Sequence, residues 1–215
     1  MPISLIAPAY NEERTIVESV HSLISLEYPE YEVIVVNDGS RDATLDTLIE
    51  HFELRVLPAS IEYSIPCQPI RHVYRSARYP RLIVVDKENG GKADALNAGI
   101  MMAAHPLFCA MDADSLLEGN ALLRITWSFL EYPETVAVGV IVCIANGCRV
   151  EHGHVTELGL SRNPLVIFQH VEYLRAFLFG RVGWSALGAL LIISGAFGVF
   201  KRQAVLDVGG YRHDT

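Results

Sequence analysis

The chain has 215 residues, of which 51% are hydrophobic, and carries a formal net charge of −8. That length and apolar content suffice for one domain with a sizeable core. The acidic balance excludes a nucleic-acid backbone as partner, because such binding is driven by clustered Lys and Arg displacing counterions.

Taken in chain order, short apolar runs alternate with helical patterns. The opening MPISLIAPAYNEE reads as having no targeting leader, with a strand predicted at Ser4–Pro8 and a helix at Arg14–Leu26. A strand at Glu32–Asn37 and a helix at Ala43–Phe52 follow. The segment from Pro58 to Pro80, with Pro66 and Pro69 inside it and little periodicity, is expected to be an irregular connection. Beyond it come a strand at Leu82–Asp86, a helix at Lys92–Ala104, a strand at Leu107–Met111, a helix at Ala121–Leu130 and a strand at Val136–Ile144. Asn163 to Arg181 is helical in pattern and apolar on most of its circumference. It suits either a membrane surface or a place under further C-terminal helices, or else the core, where it would present Gln169, Glu172 and Tyr173 to a cleft. The uncharged run Val182–Phe200 holds four glycines, and the glycines favour an interior loop and strand over a membrane span. Four cysteines, Cys67, Cys109, Cys143 and Cys148, follow no zinc spacing even with His152 and His154 nearby, and read as ordinary buried thiols.

This alternation predicts an α/β domain with a central, mostly parallel sheet flanked by helices. Its strands stop at polar clusters: PAYNEE, NDGSRD, DKENGGK and DADS. In an open parallel sheet the carboxyl ends point one way, and ligands bind in the crevice outside them, so four polar clusters would share one rim. Singly, NDGSRD could be a turn with Ser40 or Asp42 capping the next helix, and KENGGK a solvated loop. Asp112 and Asp114 lie at i and i+2, a spacing that points both carboxylates one way in extended backbone. A divalent cation relieves their repulsion. Mg²⁺ or Mn²⁺ takes one or two carboxylates and fills its other positions with water and phosphate, which lets an acidic protein hold an anionic ligand. Of only three lysines in the chain, Lys87 and Lys92 bracket the pair Gly90–Gly91, and Lys92 opens a helix whose free N–H groups favour an anion.

In their order and over nearly the whole chain, PAYNEE, VNDGSRD, KENGGKADALNAG, DADS and SGAFGVFKRQAVLDVGGY resemble the family 2 glycosyltransferases, which have a Rossmann-like GT-A fold. The likeness is strongest to the membrane-associated bacterial branch that makes poly-N-acetylglucosamine, hyaluronan and cellulose. It implies one domain over 1–215, with a nucleotide-sugar-binding half (1–115) and an incomplete acceptor-side half (116–215). It further implies that Pro8, Tyr10 and Glu12 line the nucleobase pocket, that Asp38 contacts uracil or ribose, and that Gly91 and Lys92 border the nucleotide. By the same resemblance Asp112 contacts ribose or metal, Asp114 binds the metal, and Ser194 and Gly195 lie near donor sugar and acceptor. The implied partners are a UDP-sugar and a saccharide acceptor. The implied setting is the cytoplasmic face of the bacterial inner membrane, with membrane contact or further transmembrane segments.

The family's catalytic base sits in an acidic pair a few residues beyond GGY, whereas here GGYRHDT ends the sequence and Asp214 falls slightly early. The Q-x-x-R-W motif of processive members is absent as well, so a truncated catalytic domain is expected. Two other function classes remain open. One is a nucleotide-sugar-binding module without turnover. The other is a sugar-phosphate nucleotidyltransferase, which would need a basic glycine loop after the first strand, where this chain has AYNEE.

Overall fold

The computed structural model describes residues 1–58, 63–112, 117, 120–140, 144–151, 154–177, 183–184, 193 and 197–212. In chain order they form β1 (Ile3–Ala9), α1 (Ile16–Ile24), β2 (Tyr31–Asp38), α2 (Thr44–His51), β3 (Leu54–Leu57), β4 (Ile70–Ser76), β5 (Leu82–Lys87), α3 (Lys92–Met102) and β6 (Leu107–Met111). There follow α4 (Ala121–Glu131), β7 (Ala137–Gly139), β8 (Arg149–Glu151), β9 (His154–Glu157), α5 (Pro164–Leu174), β10 (Phe197–Lys201) and α6 (Arg202–Asp207).

Among the described residues, eight strands make one mixed sheet in the order β3-β4-β5-β2-β1-β6-β10-β7. Its centre, β5-β2-β1-β6, is parallel as the βα alternation requires. Antiparallel strands finish both edges: β4 and β3 on one side, β10 and β7 on the other. The parallel strands have the apolar continuity of strands buried on both faces. One face carries Leu5, Val33, Val35, Leu82 and Val84 against α1, α2 and α4. The other carries Ile6, Ile34, Val36, Ile83 and Val85 against α3.

Two expectations need correction, and one open alternative is decided. The connection Pro58–Pro80 contains β4, which pairs with β5 through Val73↔Val85 and Tyr74↔Val84. A register shift between Ile70 and His72 breaks the two-residue alternation there, so the period was not visible in the sequence. The strand expected at Val136–Ile144 is described only as Ala137–Gly139, and residues 141–143 lie outside the described set. Finally, α5 is not a core helix. None of its residues is buried, and Leu165, Phe168 and Val171 are exposed.

Among the described residues no helix is long and apolar enough to cross a membrane. Most of the Val182–Phe200 run is outside the described set. Its last residues form β10, with Phe197 and Val199 buried. Cys67, Cys109 and Cys148 are free thiols; only Cys109 is buried, and the other two are half-buried.

α3 lies close on the sheet because its inner face is small: Ala95, Ala98 and Gly99. A Cβ on Gly99 would stand 2.3 Å from Ile6 Cγ2, in the middle of the core. The tail is fastened to the same helix. Arg202 Nε donates to the Ile100 carbonyl at 2.9 Å, and Asn97 exchanges bonds of 2.7 and 2.9 Å with the backbone of Tyr211.

Gly99→Ala is expected to lower unfolding stability by roughly 1–3 kcal/mol through overpacking, read by urea denaturation. A second expectation concerns the contact between α1 and α2, where His21 Nε2 lies 2.9 Å from His51 Nε2. Burial, followed by the neighbouring His51 and Arg78, holds the His21 pKa below its ordinary value. The unfolded chain therefore takes up the proton more readily. The stability this site contributes is complete above the ordinary histidine value and is lost as pH falls through the lowered one. Urea unfolding at pH 7.5 and pH 5 should show a smaller loss for His21→Gln than for the wild type.

Candidate active site

The sheet register brings the polar strand ends together. Ala9 pairs with Asn37, Asn37 with Asp86 and Asp38 with Lys87, while Asp112 follows Ala110, the partner of Ile6, by two residues. The chain winds from β1 towards β2 and β5 on one side and reaches β6 on the other. The carboxyl end of β1 is thus the point where strand order reverses, which is where open α/β sheets bind ligands.

The turns after β1 and β2 are stitched to each other. The backbone N–H groups of Asn11, Glu12 and Glu13 donate to Ser40 Oγ, Thr44 Oγ1 and Asp42 Oδ2 at 3.0, 2.8 and 3.2 Å. In return, Arg41 N donates to Asn11 Oδ1 and Ala43 N to Glu13 Oε2. Asn11 adopts φ +57°, a left-handed turn that asparagine tolerates. Ser40 and Asp42 therefore do more than terminate a helix. They fix the turn on which Tyr10 and Glu12 stand, just beyond Pro8 at the end of β1. Tyr10 is 44% exposed and stands on the rim, while Glu12 is half-buried and accepts from Thr15 Oγ1 at 2.7 Å.

The last residues of β2 and β5 carry polar groups on both faces. On the α1–α2 side Asn37 Nδ2 donates to Asp86 Oδ1 at 2.8 Å. On the α3 side Lys87, fully buried, donates to Asp38 Oδ1 at 2.6 Å and pairs with Asp94 Oδ1 at 2.5 Å. Asp38 is itself buried and accepts from Gly90 N at 3.0 Å, Gly91 N at 2.8 Å and Asn89 Nδ2 at 3.1 Å. Asp94 accepts from Gln68 N at 2.9 Å.

Of the two lysines that bracket the glycine pair, Lys87 therefore faces two internal carboxylates and not the crevice. The anion cradled by the glycine loop in this structure is the Asp38 side chain. Lys87 and Asp94 were missed as a pair in the sequence. The available signal was the alternation itself, since Asp38 and Lys87 end neighbouring strands on the same face. Beside them, burial and the Asp94 carboxylate push the Cys67 thiol up to about 11, so it stays protonated at neutral pH.

Gly91, at φ +86°, turns the chain into α3, and Lys92 is the first residue of that helix. Lys92 Nζ donates to Asp112 Oδ1 across the crevice, with 44% and 39% of the two side chains exposed. The structure thus brings Pro8, Tyr10, Glu12, Gly91, Lys92 and Asp112 to one rim, with Asp38 beneath the loop. Asp114, Ser194, Gly195 and Asp214 lie outside the described residues. A half-exposed carboxylate oxygen is the donor that Mg²⁺ or Mn²⁺ prefers, so Asp112 fits such an ion. Among the described residues no group of three His, Cys, Asp or Glu side chains could hold a metal by itself. The fit therefore depends on ligand phosphate and water.

The model of glycosyl transferase family 2 matches residues 4–205 of this chain. The chain belongs to that family. The poly-beta-1,6-N-acetyl-D-glucosamine synthase of Staphylococcus epidermidis is 30% identical over 213 residues, which are 99% of this chain and 42% of that protein. The synthase of the same name from Staphylococcus aureus (strain COL) is 29% identical over 215 residues, with the same coverage. The chain spans about two fifths of the length of these curated relatives, given the 42% coverage.

Among solved structures, the mannosyltransferase PcManGT of Pyrobaculum calidifontis, in complex with GDP-Man and Mn²⁺, aligns with a TM-score of 0.62 at 22% identity. That alignment takes in 99% of this chain and 48% of that one. S. aureus TarS 1-349 in complex with UDP-GlcNAc aligns with a TM-score of 0.57 at 20% identity, over 98% and 48%. These likenesses establish the fold, the GT-A arrangement of this glycosyltransferase family.

The stitched turns can be tested apart from any ligand. Thr44 is fully buried, and Thr44→Val keeps its shape while leaving Glu12 N–H without an acceptor. A loss of about 1–3 kcal/mol in urea denaturation is expected.

Proposed function

We propose that this chain is the nucleotide-sugar-binding part of a glycosyltransferase that moves a sugar from a UDP-sugar, with UDP-N-acetylglucosamine the first candidate, to a saccharide acceptor. The observation that carries the reading is the facing pair of Lys92 and Asp112, half-exposed at the strand-order reversal. A cation and a metal-binding carboxylate at one crevice suit a diphosphate. The names of the relatives support the donor: the S. epidermidis protein is a synthase of an N-acetylglucosamine polymer, and TarS was solved with UDP-GlcNAc.

In this reading Pro8, Tyr10 and Glu12 hold the nucleobase, with Tyr10 against its face. Asp38, whose carboxylate is taken up by Lys87 and by the amides of Gly90 and Gly91, is assigned to anchoring the loop on the diphosphate side and not to contact with uracil or ribose. Gly91 and Lys92 border the diphosphate. Asp112, together with Asp114, would hold Mg²⁺ or Mn²⁺, which supplies positive charge to the leaving diphosphate. Ser194 and Gly195 are assigned to the donor sugar and acceptor.

The acceptor hydroxyl attacks the anomeric carbon as a carboxylate base takes its proton. The bond from that carbon to the diphosphate oxygen breaks, and UDP departs with the electron pair. Attack opposite the leaving group inverts the anomeric configuration. The exposed Leu165, Phe168 and Val171 of α5 support attachment to the cytoplasmic face of a membrane.

Calorimetric titration with UDP, with and without Mn²⁺, tests the reading. Binding that strengthens with Mn²⁺, and loses that gain in Asp112→Asn, is expected. Binding that ignores both the ion and the substitution would remove the metal role. UDP binding with no sugar transfer to any saccharide would favour a binding module without turnover.

A further inference from the structure

The Lys87 ammonium has three N–H groups, and all three are spent inside the protein: on Asp38 Oδ1 at 2.6 Å, Asp94 Oδ1 at 2.5 Å and the Glu88 carbonyl at 2.5 Å. With no exposed surface it meets no ligand directly, so whatever it does for the site passes through its partners. Those partners are the elements that shape the glycine loop. Asp38, at the end of β2, holds Gly90 N and Gly91 N. Asp94, in the first turn of α3, packs so tightly on the loop that a Cβ on Gly90 would lie 2.5 Å from its Cγ. Glu88 bonds the ammonium, Asn89, Gly90 and Gly91 bond Asp38, and Lys92 follows directly, opposite Asp112.

Resting on the glycosyltransferase reading, we propose that Lys87 is a positioning residue for the diphosphate side of the site, acting through Asp38 and Asp94 on the Gly90–Gly91 loop and so on Lys92. Two carboxylates share one buried pocket with one ammonium. Without that charge they repel each other, and the strand end and the helix start they belong to lose their common tie. The nucleobase side is different. Pro8, Tyr10 and Glu12 are held by β1 and by the bonds to Ser40, Asp42 and Thr44, none of which involves Lys87. The inference therefore makes a selective claim: Lys87 matters for the phosphates of a nucleotide and not for its nucleoside.

The test compares Kd for UDP and for uridine, each with Mn²⁺ present, in the wild type, Lys87→Met, Lys87→Met/Asp94→Asn and Gly90→Ala, with thermal unfolding of each. The double variant restores the cluster's net charge without restoring the tie, and Gly90→Ala displaces the loop while leaving Lys87 in place. Lys87→Met should weaken UDP by roughly tenfold or more with uridine unchanged, as expected where charge-assisted contacts are misplaced. The double variant should recover stability but not the preference for UDP, and Gly90→Ala should show the same selective loss.

An unchanged preference for UDP in folded Lys87→Met overturns the proposal. Equal weakening of both ligands, or a preference that returns with stability in the double variant, overturns it as well by reducing Lys87 to a structural role. Should Lys87→Met fail to fold, the double variant and Gly90→Ala decide by the same criteria. A wild type that binds neither ligand overturns the glycosyltransferase reading itself, a result distinct from the others.

Discussion

The Lys87 ammonium, bonded three times and wholly buried, joins the end of β2, the end of β5 and the first turn of α3 at one point. Taking a charge out of water costs several kcal/mol, and only close partners on every donor offset it. Here every donor has one, and both carboxylates are further engaged, Asp38 by the glycine-loop amides and Asp94 by Gln68. A cluster of this kind tolerates little displacement. The loop that carries Lys92 inherits that rigidity, although Lys92 itself is near the surface.

Two separate supports therefore hold the two ends of the crevice. The turn bearing Tyr10 and Glu12 is fixed sideways, by reciprocal bonds with the turn after β2. The turn bearing Lys92 is fixed from beneath, by a buried charge cluster. In the proposed reading the first support serves the nucleoside and the second the diphosphate. Both hang on the same four parallel strands, whose register sets the distance between them.

Two helices carry several exposed apolar groups each. On α4 these are Leu123, Trp127 and Leu130, and on α5 they are Leu165, Phe168 and Val171. Family members that match this chain end to end are more than twice its length, since the match covers 42% of them. The three on α4 line one cavity with Met1 and Tyr28, at the amino end of β1 and so away from the rim.

The central strands, their helices and the polar clusters at their ends were legible in the sequence because a parallel sheet buried on both faces imposes continuous apolar runs that must stop at the rim. The clusters that hold Lys92 and Asp112 were legible for the same reason, whereas the place of Tyr10 was implied by the family resemblance. β4 was not, because a register shift breaks its alternation and its partner lies across a loop. Nor was the position of α5, since an apolar helix reads alike whether or not anything covers it. The direction in which Lys87 points was decided by tertiary structure alone. A lysine beside two glycines has the composition of a phosphate loop, and only the pairing of β2 with β5 and the seating of α3 over them place two carboxylates where its charge must turn inward.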